Sequence, residues 1–149
     1  MQTKSAARNI FFGGTIFFFV IFVGLVAHSY SYIVTTSTNV KTLTASVKHG
    51  KKVWEENACI DCHTLLGEGA YYAPELGNVW KRYMDANDND PKAARQGIID
   101  WIKAMPSGTK GRRQMPHFNL SDKDLNGLVD FFEWTSTIKT QNWPPNLAG

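Results

Sequence analysis

The stretch Cys59-Ile60-Asp61-Cys62-His63 decides how this chain of 149 residues is read. Two thiols three residues apart share one helical turn, where they can form thioethers to the two vinyl groups of a haem, and the adjacent imidazole is then aimed at the iron. The chain holds two cysteines, and both lie in this motif. A structural zinc site would need a second ligand pair, and no further Cys exists to provide one. A thioredoxin-like dithiol sits in a βαβ unit, a pattern that does not appear. The motif therefore predicts one covalent haem held by Cys59 and Cys62, with His63 as the proximal iron ligand.

Helical signals surround the motif. From Ser46 to Asn57, Val47, Gly50, Val53 and Trp54 fall at offsets 0, 3, 6 and 7 and make a one-sided apolar stripe. Pro91 to Ala104 has proline in its first turn and an apolar side of Ile98, Ile99, Trp101 and Ile102, and Pro106 and Gly108 end it. Ser121, followed three residues later by Asp124, starts a capped helix bearing Leu125, Leu128, Val129, Phe132 and Trp134. No strand alternation is evident, so the fold class is all-α. The long loops Thr64 to Val79, Asp85 to Asp90 and Ser107 to Leu120 are too long to be idle connectors.

Further out, the composition divides in two. Asn9 to Val40 is a run of thirty-two residues without Asp, Glu, Lys or Arg, although the mean hydropathy of the whole chain is only −0.28. The eighteen residues from Ile10 to Ala27 would cover roughly 27 Å as a helix, and continuation through Tyr30 and Tyr32 makes the segment long enough for a hydrocarbon core of about 30 Å. Six of the nine Phe lie inside it, while Tyr30 and Tyr32 stand where amphipathic rings favour the headgroups. The segment is too long for a secretory signal, and Ala27-His28-Ser29 is a poor cleavage site, so a retained anchor is expected. His28 is read as interfacial and given no role.

Lys4 and Arg8 precede the span and no basic residue follows before Lys41, which puts the N-terminus in the cytoplasm and everything after residue 40 outside. Beyond residue 40 the fourteen Lys and Arg nearly balance the thirteen Asp and Glu and are interspersed with them. The pI near 8.9 is thus a topology signal and excludes a nucleic-acid binder, which would concentrate its bases on one face. The expected organisation is an anchor over residues 1–34 with the span at about 10–32, a Thr/Ser-rich linker or helix extension over 35–46, and a haem domain over 47–149. About one hundred residues make a thin core, which a tethered haem would fill.

The sixth iron ligand must come from elsewhere, and the candidates are Met84, Met105, Met115, His49 and His117. Met115 is favoured because Pro116 stiffens the approach, a capped helix follows, and the sequence separation from His63 lets it reach the other haem face. Met105-Pro106 shares the Met-Pro pair but abuts a helix end, and an open site would suit gas binding. Lys110, Arg112 and Arg113 beside Met115 are candidates for a haem propionate or an acidic partner, with a solvated charge cluster as the plain alternative. Trp143-Pro144-Pro145 is not helical and reads as a docking tail. No acid/base carboxylate pair, nucleophile motif or phosphate loop suggests a catalytic centre of the chain's own.

The exported part resembles class I cytochrome c, on the helix with Gly50 and Trp54, the C-x-x-C-H, the Pro-Glu-Leu-Gly stretch at Pro74 to Gly77, a Met loop and an aromatic closing helix. In that family a loop proline carbonyl accepts the Nδ1 proton of the haem-ligating His, and Pro74 matches by position; a plain turn proline is the other reading. The whole chain resembles the small cytochrome c subunit of the bacterial cytochrome-c-dependent nitric oxide reductase. The stretches concerned are Cys59 to Leu76, Gly111 to Pro116 (Gly-Arg-Arg-Gln-Met-Pro), Glu133 to Ser136 and Trp143 to Asn146.

That resemblance implies a subunit taking single electrons from a soluble donor, of cytochrome c or cupredoxin type. It would pass them to a large membrane subunit, whose haem b and non-haem iron centre reduces two NO to N2O. The resemblance also implies that the loop Gly67 to Tyr72 abuts the membrane subunit and that the backbone carbonyl of Tyr71 is a ligand of an interface calcium; both tyrosines packing on the haem edge is the alternative. The competing function is a free membrane-tethered electron shuttle to a terminal oxidase, which needs a long swinging linker. A haem-based gas sensor would need an output domain, and none is apparent.

Overall fold

The computed structural model describes residues 3–38, 40–106, 110–111 and 114–141. The chain divides into two compact units, residues 1–40 and 41–149.

The first unit is dominated by α1 (Lys4–Tyr32), which Thr3 caps by accepting from the Ala6 N–H. At about 1.5 Å per residue its 29 residues exceed the thickness of a hydrocarbon core. None of them is buried within the chain, and its Phe, Ile, Val and Leu side chains are exposed all round. A helix apolar on every side needs an apolar environment from outside the chain, and α1 is long and apolar enough to cross a membrane. A π turn (Ile33–Ser37) extends it, with Thr35 Oγ1 donating back to the Ser31 carbonyl and Thr38 Oγ1 to the Ile33 carbonyl.

The second unit is helical, built from α2 (Ala45–Glu56), α3 (Val79–Ala86), α4 (Pro91–Ala104) and α5 (Asp122–Ser136). Thr44 caps α2 by accepting from Val47 N–H, and the stripe read from sequence, Val47, Gly50, Val53 and Trp54, is its buried face. Asp90 caps α4, with Pro91 in the first turn where its missing N–H is no loss. Ser121 and Asp124 form a full capping box on α5.

α2 and α5 make the most extensive helix contact, and their backbones touch where Gly50 meets Gly127. Trp54 packs edge-on to Phe132, with ring centroids 5.9 Å apart, and also contacts Phe131. Arg95 of α4 reaches Asp130 (2.6 Å) and Glu133 (3.2 Å) on α5, and Ser46 at the start of α2 also hydrogen-bonds Asp130. Three helices are thereby fixed around one core.

Sequence expectations are corrected at three places. The loops expected to end at Val79 and to begin at Asp85 give up these residues to a helix, α3, which also takes in the unassigned residues 80–84 and buries Val79 and Trp80. The segment beginning at Thr64 holds a two-stranded antiparallel hairpin, β1 (Thr64–Leu65) and β2 (Glu68–Gly69), with Leu65 opposite Glu68. Trp101 does not join the apolar side of α4 in the core: it is 46% exposed, because its position turns it towards the cavity described below. Within the Thr/Ser-rich stretch, Trp134 Nε1–H donates to Thr42 Oγ1 at 2.9 Å and Leu43 packs against the core.

Candidate haem site

A short 3-10 turn (Cys59–Asp61) follows α2 directly, entered through Ala58 in the left-handed region at φ 50°. The N–H groups of Cys62 and His63 both donate to the Cys59 carbonyl, which curls the motif into one turn. Cys59 and Cys62 are half-buried and form no disulfide. Burial chiefly, with the neighbouring Cys62 adding to it, pushes the Cys59 thiol up to about 11. A redox-active dithiol has a depressed pKa, so this microenvironment is unsuited to thiol–disulfide exchange.

His63 is buried, and its Nδ1 lies 2.8 Å from the Pro74 carbonyl. A carbonyl only accepts, so Nδ1 carries the proton and Nε2 keeps a lone pair, the tautomer that an iron ligand requires. Of the two readings of Pro74, this contact selects the orienting one. The Trp54 ring stands beside the imidazole, centroids 6.4 Å apart. Gly69 is required where the hairpin crosses the motif: its φ is +120°, and a Cβ there would lie 2.3 Å from the His63 carbonyl oxygen. The Ala70 and Ala73 N–H groups donate to the Ile60 and Cys62 carbonyls and close the loop over the motif.

Two adjoining cavities open beside this turn. One of about 510 Å³ is bordered by Cys59, Cys62, His63, Tyr72, Met105 and Met115, among others. The second, about 190 Å³, lies deeper between Trp54, Leu76, Ile98, Leu128 and Phe132 and again touches Cys59, His63 and Met115. The volume of the larger one suits a bound organic group, the usual range being about 300–1,000 Å³. Two free thiols, one imidazole of the right tautomer and an apolar wall around them are a donor set that fits covalent haem.

Met115 borders both cavities, and Met105 borders the larger. Met84 packs on the core, His49 Nε2 sits 2.8 Å from Asp124 Oδ1 between α2 and α5, and His117 is exposed with Nδ1 3.1 Å from the Met105 carbonyl. None of those three borders either cavity. Tyr72 lines the larger cavity, whereas Tyr71 is 76% exposed and does not. Lys110 is exposed. Arg112, Arg113 and the tail from Trp143 to Asn146 lie outside the described residues.

Sequence reasoning missed Glu75, a buried carboxylate that accepts from the N–H groups of Leu66 (2.7 Å), Gly67 (3.2 Å) and Gly77 (2.7 Å). Burial alone would raise its pKa. The nearby Thr64 hydroxyl, outside hydrogen-bonding geometry yet close enough to act on the charge, and the three backbone donors outweigh burial and hold Glu75 below the usual carboxylate range. The one available signal was its place directly after Pro74.

Residues 47–136 match the family profile for cytochrome c. Over 147 residues the chain is 55% identical to the C subunit of nitric oxide reductase from Halomonas halodenitrificans, covering 99% of this chain and 97% of that one. The chain belongs to the family of nitric oxide reductase C subunits. The Paracoccus denitrificans member is also 55% identical, over 149 residues, 100% of this chain and 98% of that one. A more distant match, cytochrome c oxidase subunit 2 of Alkalihalophilus pseudofirmus, is 29% identical over 87 residues, 55% of this chain and 23% of that one. The family's cytochrome c domain implies covalently bound haem c, and its naming as a subunit implies assembly with a catalytic partner.

Proposed function

We propose that this chain is the electron-input subunit of a cytochrome-c-dependent nitric oxide reductase. It is anchored in the bacterial inner membrane by α1 with its N-terminus cytoplasmic and its haem domain periplasmic. It accepts single electrons from a soluble cytochrome c or cupredoxin and passes them to a membrane-embedded haem b/non-haem iron subunit that reduces two NO to N2O in denitrification. The observation that carries this reading is the buried His63, held by Pro74 in the ligand tautomer beside Cys59, Cys62 and Met115 at one apolar cavity.

Haem bound there supplies one-electron exchange between ferric and ferrous iron. Cys59 and Cys62 tether it, His63 offers Nε2 to the iron, and Met115 is the distal ligand, favoured over Met105 by its place on both cavities. His/Met ligation closes the iron and raises its potential, which suits electron transfer and not gas sensing. Domain limits follow the sequence reading: anchor 1–34, connecting segment 35–46 and haem domain 47–149. The exposed Tyr71 faces the partner subunit and offers its backbone carbonyl to an interface calcium.

The free-shuttle alternative is disfavoured by the connecting segment. Thr35 to Ser37 continue the helix, Val40–Thr42 is a 3-10 turn, and Thr42 is bonded to Trp134, which leaves little of the segment to swing. Mild-detergent purification of the tagged chain tests the reading. Co-purification of a large haem b-containing subunit with NO-reducing activity is expected, and a lone monomeric cytochrome would refute it.

A further inference from the structure

Glu75 is fastened at both ends. Its side chain takes three backbone N–H groups, two from the hairpin turn (Leu66, Gly67) and one from Gly77. Its own carbonyl accepts from both terminal nitrogens of Arg82 on α3, each at 3.1 Å. Directly before it stands Pro74, whose carbonyl holds His63. The hairpin turn it grips is strained, since Leu66 has φ 55° and Gly67 φ 87°. A two-residue turn of this kind needs positive φ at both positions and normally carries Asn, Asp or Gly first, not a branched side chain such as Leu. Two charge-assisted hydrogen bonds donated by the Leu66 and Gly67 N–H groups to a buried carboxylate are what can hold them there.

We propose that Glu75 is a positioning residue for the haem ligand: by pinning the Leu66–Gly67 turn and Arg82 to the Pro74–Gly77 segment, it fixes the direction of the Pro74 carbonyl and through it the ring of His63. This rests on the reading of His63 as the iron ligand. A carboxylate with only a local structural role would lower the melting temperature without altering the His63–Pro74 bond, so the bond itself is the readout.

The experiment uses the full-length haem-loaded chain in detergent, reduced and labelled with 15N-histidine, and follows exchange of the His63 Nδ1–H with solvent by NMR. Glu75→Gln keeps the shape but sets an amide N–H donor against a backbone donor, and is expected to speed exchange at least tenfold. Glu75→Ala should speed it further, and adding Leu66→Gly, which adopts the turn unaided, should recover part of the protection. Unchanged exchange in folded Glu75→Gln overturns the proposal, and this variant decides the matter if Glu75→Ala does not fold. A wild-type chain without covalent haem overturns both the proposal and the reading beneath it, and its missing c-type absorption tells that failure apart.

Discussion

A Cβ added to Gly50 would lie 1.8 Å from the carbonyl oxygen of Gly127 and 2.4 Å from its carbon. Main chain meets main chain there, so no rotamer change relieves the clash and α2 and α5 must separate. Separation would open the Trp54, Phe131 and Phe132 cluster beside His63. Gly50→Ala is expected to destabilise by at least about 3 kcal/mol, read by thermal unfolding, with loss of haem incorporation. Gly127→Ala should be milder, because its tightest neighbour is His49 Cδ2 at 2.9 Å, part of a side chain that can rotate.

The same helix pair carries an acid-sensitive contact. Hydrogen bonds from the Ser121 side chain first, then from His49 and the Ser121 N–H, hold the Asp124 carboxyl below its ordinary value. A depressed folded pKa favours the charged form in the native state. Its stabilisation is therefore fully present above the unfolded value of about 3.9 and is lost as pH falls through the folded value. Asp124→Asn should lower the melting temperature near neutral pH, and its difference from wild type should shrink as pH drops below about 4. A difference independent of pH would contradict this.

Cys59→Ala/Cys62→Ala tests what haem does for the core. At about 24 cal/mol per Å³, an unfilled 190 Å³ cavity corresponds to about 4–5 kcal/mol as an upper figure, since the cavity is partly open, comparable with the whole stability of a small domain. The variant should show reduced helicity and a broad transition by circular dichroism. Native-like helicity with sharp unfolding would refute it.

The distal ligand is tested optically. Met115→Ala should abolish the long-wavelength sulfur-to-iron charge-transfer band of the oxidised protein, and Met105→Ala should preserve it. The reverse outcome would assign Met105.

The legible parts of the sequence were those where one residue type carries one physical meaning. C-x-x-C-H marked the turn, and the buried stripe Val47, Gly50, Val53, Trp54 followed from helical period. Ser121 with Asp124, and Pro91 in a first turn, announced their helices because capping boxes and proline's fixed backbone are residue properties, whereas the Asp90 cap was seen only in the structure. α3 was not announced: Asn78 at its N-terminus makes no side-chain cap, and the helix has only eight residues. The hairpin was hidden for a related reason, since Leu66 sits at a turn position where Asn, Asp or Gly would have been recognised. Glu75 gave little signal beyond its place after Pro74, because its donors are backbone N–H groups, which every sequence contains. His63 alone left Pro74 ambiguous, and only the 2.8 Å contact resolved it.

The central claim, that electrons pass through this chain to an NO-reducing partner, is tested most directly by rapid mixing of the fully reduced, co-purified complex with NO. The c-type absorption of this chain would be followed alongside NO consumption. Re-oxidation of the c-type band within the turnover time, accelerating again on addition of reduced soluble donor, is the predicted result. NO consumed at full rate while the c-type band stays reduced would contradict it.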